Sequence, residues 1–237
     1  MNIVVTGASN GIGYHTCLAF ARSGPHRIFA LSRNEEKMGL LRQEALQHQY
    51  PGEIIPMSLD LSDTGAIAMV AREISKQAAG LDILVNNAGK LINKPFSDLG
   101  AQEWKELYAV NVFGTAELTQ QLLPLLKSGS GRAHIVNISS MGGIQGSQKF
   151  KGLSAYTSSK AAVIALTECL AEELREYSIA VNCLALGSVS TDMFSSAFPG
   201  HTAALSPEKM AAFIADFAMN GHQFFNGKTV PVSSSTP

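Results

Sequence analysis

Cysteine is scarce in this 237-residue chain, and the three present, Cys17, Cys169 and Cys183, are an odd number without paired metal-ligand spacing. That argues against a disulfide framework and against a zinc module. Each lies in an apolar helix or strand pattern, which predicts buried, reduced thiols. The histidines are scattered and no His-Glu-x-x-His occurs, so no metal is expected. Net charge is −1 with no long basic run, which leaves no electrostatic footprint for nucleic acid or an anionic membrane. Apolar stretches are too short or too punctuated to span a bilayer, and the first strand starts almost at Met1, leaving no room for a signal peptide. A cytoplasmic location is therefore expected. Internal repeats are absent, and the one low-complexity piece, Ser233 to Pro237, is expected to be a frayed tail.

Apolar residues, by contrast, are plentiful. At 46% hydrophobic content the chain can bury a sizeable core, and one domain over residues 1–237 is expected. Strand-like runs (NIVVT, HRIFALSR, EIIPMS, LDILVN, HIVNISS, IAVNCLALG and KTVPVS) alternate with helical patterns at about 35–49, 63–79, 102–127 and 207–219. The helix over 102–127 is expected to break or end near Pro124. The alternation implies right-handed βαβ crossovers and a seven-stranded, mostly parallel, doubly wound α/β sheet with helices on both faces.

Four segments carry chemistry. In NIVVTGASNGIGYHTCLAFA, Gly7, Gly11 and Gly13 mark a turn between strand and helix. Missing Cβ atoms there would let a pyrophosphate approach the helix N-terminus, whose unpaired N–H groups favour anions; structural punctuation is the alternative. Two further strands end at polar groups, Asn86-Asn87-Ala88-Gly89 and Ser139-Ser140, where an open parallel sheet binds its ligands. Finally, Tyr156 and Lys160 stand four apart in a helical pattern and project from one face. A nearby cation favours the phenolate of a group that ordinarily ionises near pH ~10.

These matches, in this order and together with Asn111, make the chain resemble the main single-domain branch of the short-chain dehydrogenase/reductase family from Met1 to about Val232. The resemblance implies a Rossmann-type fold and a catalytic set of Asn111, Ser140, Tyr156 and Lys160. Tyr156 would be the general acid, Ser140 would hydrogen-bond the reacting oxygen, Lys160 would lower the tyrosine pKa and bind ribose hydroxyls, and Asn111 would hold a water chain to the lysine. Ser139 is the alternative to Ser140, which precedes Met-Gly-Gly as the family pattern requires; capping or kinking a helix is compatible with the role of Asn111. The implied cofactor set comprises Gly7, Ser9, Asn10, Gly11, Ile12 and Gly13 on the first turn, and Ser32 and Arg33 after the second strand. It continues with Asp60 and Leu61 beside adenine, Asn87, Ala88 and Gly89 near the adenosine ribose, and Gly187, Val189 and Thr191 on the nicotinamide side, with Tyr156 and Lys160. Ser140, Tyr156 and Met193 would meet the substrate.

Cofactor choice turns on the second strand's end, where NAD enzymes place a carboxylate. Here Ser32 stands there and Arg33 follows, which favours the 2′-phosphate of NADP over NAD. Glu35 and Glu36 are expected to begin the next helix. Residues 189–205 match the family's substrate lid, to which Met193, Phe194 and Phe198 would give an apolar inner face, unless they are packed core. The stretch between Ser140 and Tyr156 is longer than usual in the family and carries Gln145, Gln148, Lys149 and Lys151, fitting either a solvated loop or an anionic or large polar substrate. Leu186 stands where the family has proline. The implied activity is NADP(H)-dependent reduction of a ketone or aldehyde; the alternatives are a 3-oxoacyl thioester reductase and a non-catalytic dinucleotide-binding regulator. A homo-tetramer or homo-dimer through helices 102–127 and 156–176 is implied, with Trp104, Leu107, Leu118 and Leu122 on the former, unless these residues face the sheet.

Overall fold

The computed structural model describes residues 1–129, 131 and 133–233. Its centre is one sheet of seven strands in the order β3-β2-β1-β4-β5-β6-β7: β1 Asn2–Thr6, β2 Arg27–Ser32, β3 Glu53–Ser58, β4 Ile83–Asn86, β5 His134–Ser140, β6 Ala180–Leu186 and β7 Thr229–Val232. Every pairing between them is parallel. The strand order reverses between β1 and β4, so the crevice beyond their carboxyl ends is the topological switch point.

Alternation along the strands divides the core in two. Ile3 and Val5 of β1 join Ile28, Ile83, Val136 and Leu184 under helices α1 (Gly11–Ser23), α2 (Glu35–Gln47) and α8 (Pro207–Asn220). Val4 points the other way, with Phe29, Leu84, Ile135 and Val181, under α3 (Thr64–Gln77), α5 (Thr115–Lys127) and the end of α6 (Ser154–Glu173). Successive strand residues face opposite sides, and helices cover both, which is why the strands read as continuous apolar runs. No helix among the described residues is long and apolar enough to cross a membrane.

Three expectations need correction. The 102–127 segment is two helices, α4 (Ala101–Tyr108) and α5, joined by a π-helical turn over Ala109–Gly114. Pro124 lies inside α5 without ending it; it sits on the exposed face, where water can hydrogen-bond the carbonyl that loses its N–H partner. Leu107, Leu118 and Leu122 are fully buried and belong to the core, not to an outer face. Cys169 is exposed on α6, whereas Cys17 and Cys183 are buried as expected; all three are free thiols. Of the expected tail, Ser233 is described beside Gly187, while residues 234–237 lie outside the described residues.

Candidate active site

The end of β1 is locked to the end of β4. Thr6 Oγ1 accepts the amides of Asn87 (3.0 Å) and Ala88 (2.9 Å), and Asn87 Nδ2 donates to the Thr6 carbonyl at 2.9 Å. Gly7 follows with φ +69°, and a Cβ there would lie 2.8 Å from Ala88 Cα. A Cβ on Gly13 would lie 2.3 Å from the Gly7 carbonyl oxygen. These glycines allow the loop to fold flat over the start of α1, which no side chain caps; its first N–H groups are left for a ligand.

The α1 N-terminus opens on a cavity of about 860 Å³ running across the carboxyl ends of the strands. Ser9, Asn10, Gly11, Ile12 and Gly13 form its floor, with Gly7 behind them. Ser32 and Arg33 line one end with Asp60 and Leu61. Asn34 caps α2, its side chain accepting from Lys37 N at 2.9 Å, and Glu35 and Glu36 fall in the first turn as expected. The Arg33 side chain is 76% exposed and stands 3.9 Å from Asp60, a loose surface pair worth little that leaves the guanidinium free to reorient. The Asp60 carboxyl is held below its ordinary range, chiefly by the hydroxyl and amide of Ser62, with Arg33 and Lys90 adding to the effect.

Asn87, Ala88 and Gly89 also line the cavity, as do Gly187, Val189 and Thr191, and Thr191 packs against the glycine turn, its Cγ2 3.3 Å from where a Cβ on Gly11 would lie. Gly187 donates to the Val232 carbonyl at 2.9 Å, so the turn forms with Leu186 in place of proline. Val189 bridges to Leu205, closing the base of the segment that carries α7 (Asp192–Ala197). Thr191 caps α7, accepting from Phe194 N at 3.2 Å. Met193, Phe194 and Phe198 line the cavity, and Met193 is 39% exposed.

At this end lie Ser140 and Tyr156. The Ser140 hydroxyl closes β5 and accepts from Gly142 N at 3.3 Å, and it lines the cavity with the Tyr156 phenol, whose pKa it acts to lower. The Ser139 hydroxyl instead donates to the Lys160 carbonyl at 2.8 Å, which ties β5 to α6 and separates the two serines by task. Gly143 permits the same close approach, since a Cβ there would lie 2.9 Å from the Lys160 carbonyl carbon. Lys160 is buried and donates from Nζ to the Ile138 carbonyl at 2.9 Å. Burial lowers its pKa to about 8. The Tyr156 pKa does not fall, contrary to expectation: burial raises it to about 12 against the opposing hydrogen bond from Ser140. The Lys160 ammonium, 5.9 Å from the centre of the tyrosine ring and turned to Ile138, does not offset that desolvation.

Asn111 alone of the expected residues does not line the cavity. It is buried in the π-helical turn, where Oδ1 accepts from Lys90 N at 2.7 Å and Nδ2 donates to the Lys90 carbonyl and to Ser159 Oγ, both at 2.9 Å. Ser159 in turn donates to the Tyr156 carbonyl at 2.7 Å, so Asn111 joins the loop after β4 to the first turn of α6. Thr6, Lys90, Phe150 and Ser159 were not anticipated. Thr6 was signalled by its place between the apolar run and Gly7; the others had no local signal.

The family model for short chain dehydrogenase matches residues 1–201. An uncharacterized oxidoreductase, YusZ, of Bacillus subtilis is 34% identical over 192 residues, 81% of this chain and 66% of that protein, so the match spans slightly less than two thirds of its length. The 3-oxoacyl-[acyl-carrier-protein] reductase FabG of Thermotoga maritima is 34% identical over 191 residues, covering 80% of this chain and 74% of that one. Among solved structures, the Pseudomonas aeruginosa RhlG/NADP active-site complex superposes with a TM-score of 0.87 at 29% identity, covering 99% of this chain and 95% of that one. With the parallel sheet, the glycine turn and the Ser140, Tyr156 and Lys160 cluster in place, the chain belongs to the short-chain dehydrogenase/reductase family.

Proposed function

We propose that the protein is an NADP(H)-dependent reductase of ketones or aldehydes, working in one domain. The observation that carries this reading is one cleft lined both by Ser140, Tyr156 and Lys160 and by the glycine turn and Arg33. The cleft fits a dinucleotide: Gly7 and Gly13 leave no Cβ in the way, the α1 N-terminus is uncapped, and a cationic rather than acidic residue follows Ser32. The bound NADP in the Pseudomonas aeruginosa relative supports the same choice.

NADPH bound there supplies the hydride. Amides of Gly11, Ile12 and Gly13 would hold its pyrophosphate, Arg33 its 2′-phosphate, and Lys160 its nicotinamide-side ribose. Tyr156, kept protonated by burial, donates its proton to the carbonyl oxygen as negative charge develops there, and Ser140 donates a hydrogen bond to the same oxygen. Asn111 positions Lys90 and, through Ser159, the helix turn that carries Tyr156. Residues 189–205 act as the lid. Retention of Tyr156 and Lys160 argues against a non-catalytic regulator.

The 3-oxoacyl thioester reductase reading is kept for one reason, the 34% identity to the Thermotoga maritima protein of that name. A cytoplasmic homo-oligomer completes the proposal. A ladder of Trp104, Tyr108 and Phe113, spaced 6.2 Å ring to ring with Phe113 63% exposed, supports self-association through α4 and the π-helical turn. Oxidation of NADPH, followed with ketones, aldehydes and acyl thioesters, tests the reaction. Consumption with none of the three classes would sink it.

A further inference from the structure

On the lid side of the Ser140 and Tyr156 pair, three phenylalanines from two separate segments form one wall. Phe194 and Phe198 on the lid have ring centres 5.3 Å apart at 38°, and Phe150, from the extended stretch before α6, meets Phe198 edge-on at 5.1 Å and 77°. All three line the same cavity as Tyr156 and all are only half-buried. Two hydrogen bonds, one from a side-chain amide and one from the backbone, fix both segments to the chain after β4: Asn93 Nδ2 donates to the Ala197 carbonyl at 2.8 Å, and Lys94 N to the Gly152 carbonyl at 2.9 Å. The ring wall is therefore braced from behind. Lys149, which could have drawn an anionic substrate, turns its ammonium to the oxygens of Ile144 and Ser147 at 2.7–3.1 Å.

We infer that the substrate is a carbonyl compound bearing an aromatic ring, seated against Phe150, Phe194 and Phe198 while its carbonyl oxygen meets Tyr156 and Ser140. The inference rests on the reductase reading for the carbonyl end and on the ring wall for the other. Two of the wall's rings already meet edge to face, and aromatic pairs gain beyond the area they bury, by roughly two- to tenfold in affinity. A saturated ring of the same size gains only the area.

The test compares benzylacetone, its cyclohexyl analogue, butanone and an acetoacetyl thioester, by kcat/KM with NADPH and, separately, by calorimetric binding to Tyr156→Phe protein saturated with NADP. Benzylacetone is expected to exceed butanone by more than about tenfold and the cyclohexyl ketone by roughly two- to tenfold. Phe150→Leu and Phe198→Leu, which keep apolar volume, should each lower the aryl-over-cyclohexyl ratio in both measurements. Aryl binding that these variants weaken, without turnover of any ketone, would keep the ring site and sink the reductase reading. Reduction of butanone or the thioester as efficiently as benzylacetone, an unaltered ratio in both leucine variants, or no binding of the aryl ketone would overturn the ring site, whether or not the protein is a reductase.

Discussion

Lys160 Nζ stands 5.9 Å from the centre of the Tyr156 ring and donates to the Ile138 carbonyl at 2.9 Å. The ammonium is thus held by the sheet and buried beside the phenol. Burial moves the two groups in opposite directions, Lys160 down to about 8 and Tyr156 up to about 12, because it disfavours the charged form of each.

The lysine makes stability depend on pH. Unfolded, it keeps its proton up to the ordinary 10.5; folded, it gives the proton up above about 8. Between these values the unfolded chain binds more protons, so stability rises with pH. The penalty for burying the cation is full below about 8 and fades towards 10.5. Urea unfolding of the cofactor-free protein should show wild type gaining on Lys160→Met by on the order of 2 kcal/mol between pH 8 and pH 10. The comparison cancels groups that Lys160 does not influence, such as Cys17, but not Cys183, whose thiol pKa the lysine charge lowers. A constant difference across that window would mean that Lys160 is not desolvated as described.

Tyr156→Phe removes the proposed proton donor and little volume. Turnover should fall by about 10²–10⁴-fold, the usual contribution of general acid–base catalysis, while NADPH affinity changes by no more than a few-fold. If more than about a tenth of wild-type kcat survived where chemistry limits the rate, another group would have to supply the proton.

Arg33 lines the same cleft and is the proposed partner of a 2′-phosphate. Loss of such a charged contact costs on the order of 1.5–3 kcal/mol, or roughly ten- to a hundredfold in affinity. Arg33→Ala should weaken NADPH by that factor and NADH much less. Adding Ser32→Asp should reverse the preference, since the carboxylate can accept from ribose hydroxyls and repels phosphate. Equal weakening of both nucleotides, measured by fluorescence titration, would leave Arg33 with a structural role only.

The fold and the ends of the site were legible because both depend on short-range pattern. Gly7, Gly11 and Gly13 stand in one turn, Tyr156 and Lys160 on one helix face, and the buried strands are unbroken apolar runs. What the sequence did not disclose depends on distant partners. The π-helical turn at Asn111 owes its place to Lys90 and Ser159, 21 and 48 residues away, and Gly114 within it admits the Leu61 carbonyl, which a Cβ would approach at 2.3 Å. Periodicity cannot separate an outward Leu118 from an inward one when both readings share a helix, and Phe150 entered the site only through tertiary packing. The rise in the Tyr156 pKa was hidden for the same reason: spacing placed the cation nearby but said nothing of burial.

Self-association, if it uses the aromatic ladder, should respond to its exposed rung. Sedimentation of the wild-type protein at micromolar concentration should show a dimer or tetramer, and Phe113→Glu, which sets a charge where a 63% exposed ring stands, should shift it towards monomer with little change in unfolding. Wild type sedimenting as monomer alone would remove the proposal.

Two glycine-to-alanine changes in helices should have opposite effects, and the contrast isolates the close approach at the cofactor turn. Gly39 lies in α2 with nothing within 4 Å of a would-be Cβ, so alanine there should stabilise by roughly 0.5–1 kcal/mol through helix propensity. Gly13, in the first turn of α1, has the Gly7 carbonyl oxygen at 2.3 Å and Asn87 Nδ2 at 2.5 Å from that position. Backbone cannot yield as a flexible side chain can. Gly13→Ala must push α1 away from the loop and disturb Asn87, which joins β4 to β1, so it should destabilise by about 1–3 kcal/mol. It should also weaken NADPH binding by more than tenfold, because the helix N-terminus no longer meets the pyrophosphate. Urea unfolding and nucleotide titration of both variants decide the matter: if Gly13→Ala bound and unfolded like wild type, the close packing of Gly13 against Gly7 could not be what shapes the turn.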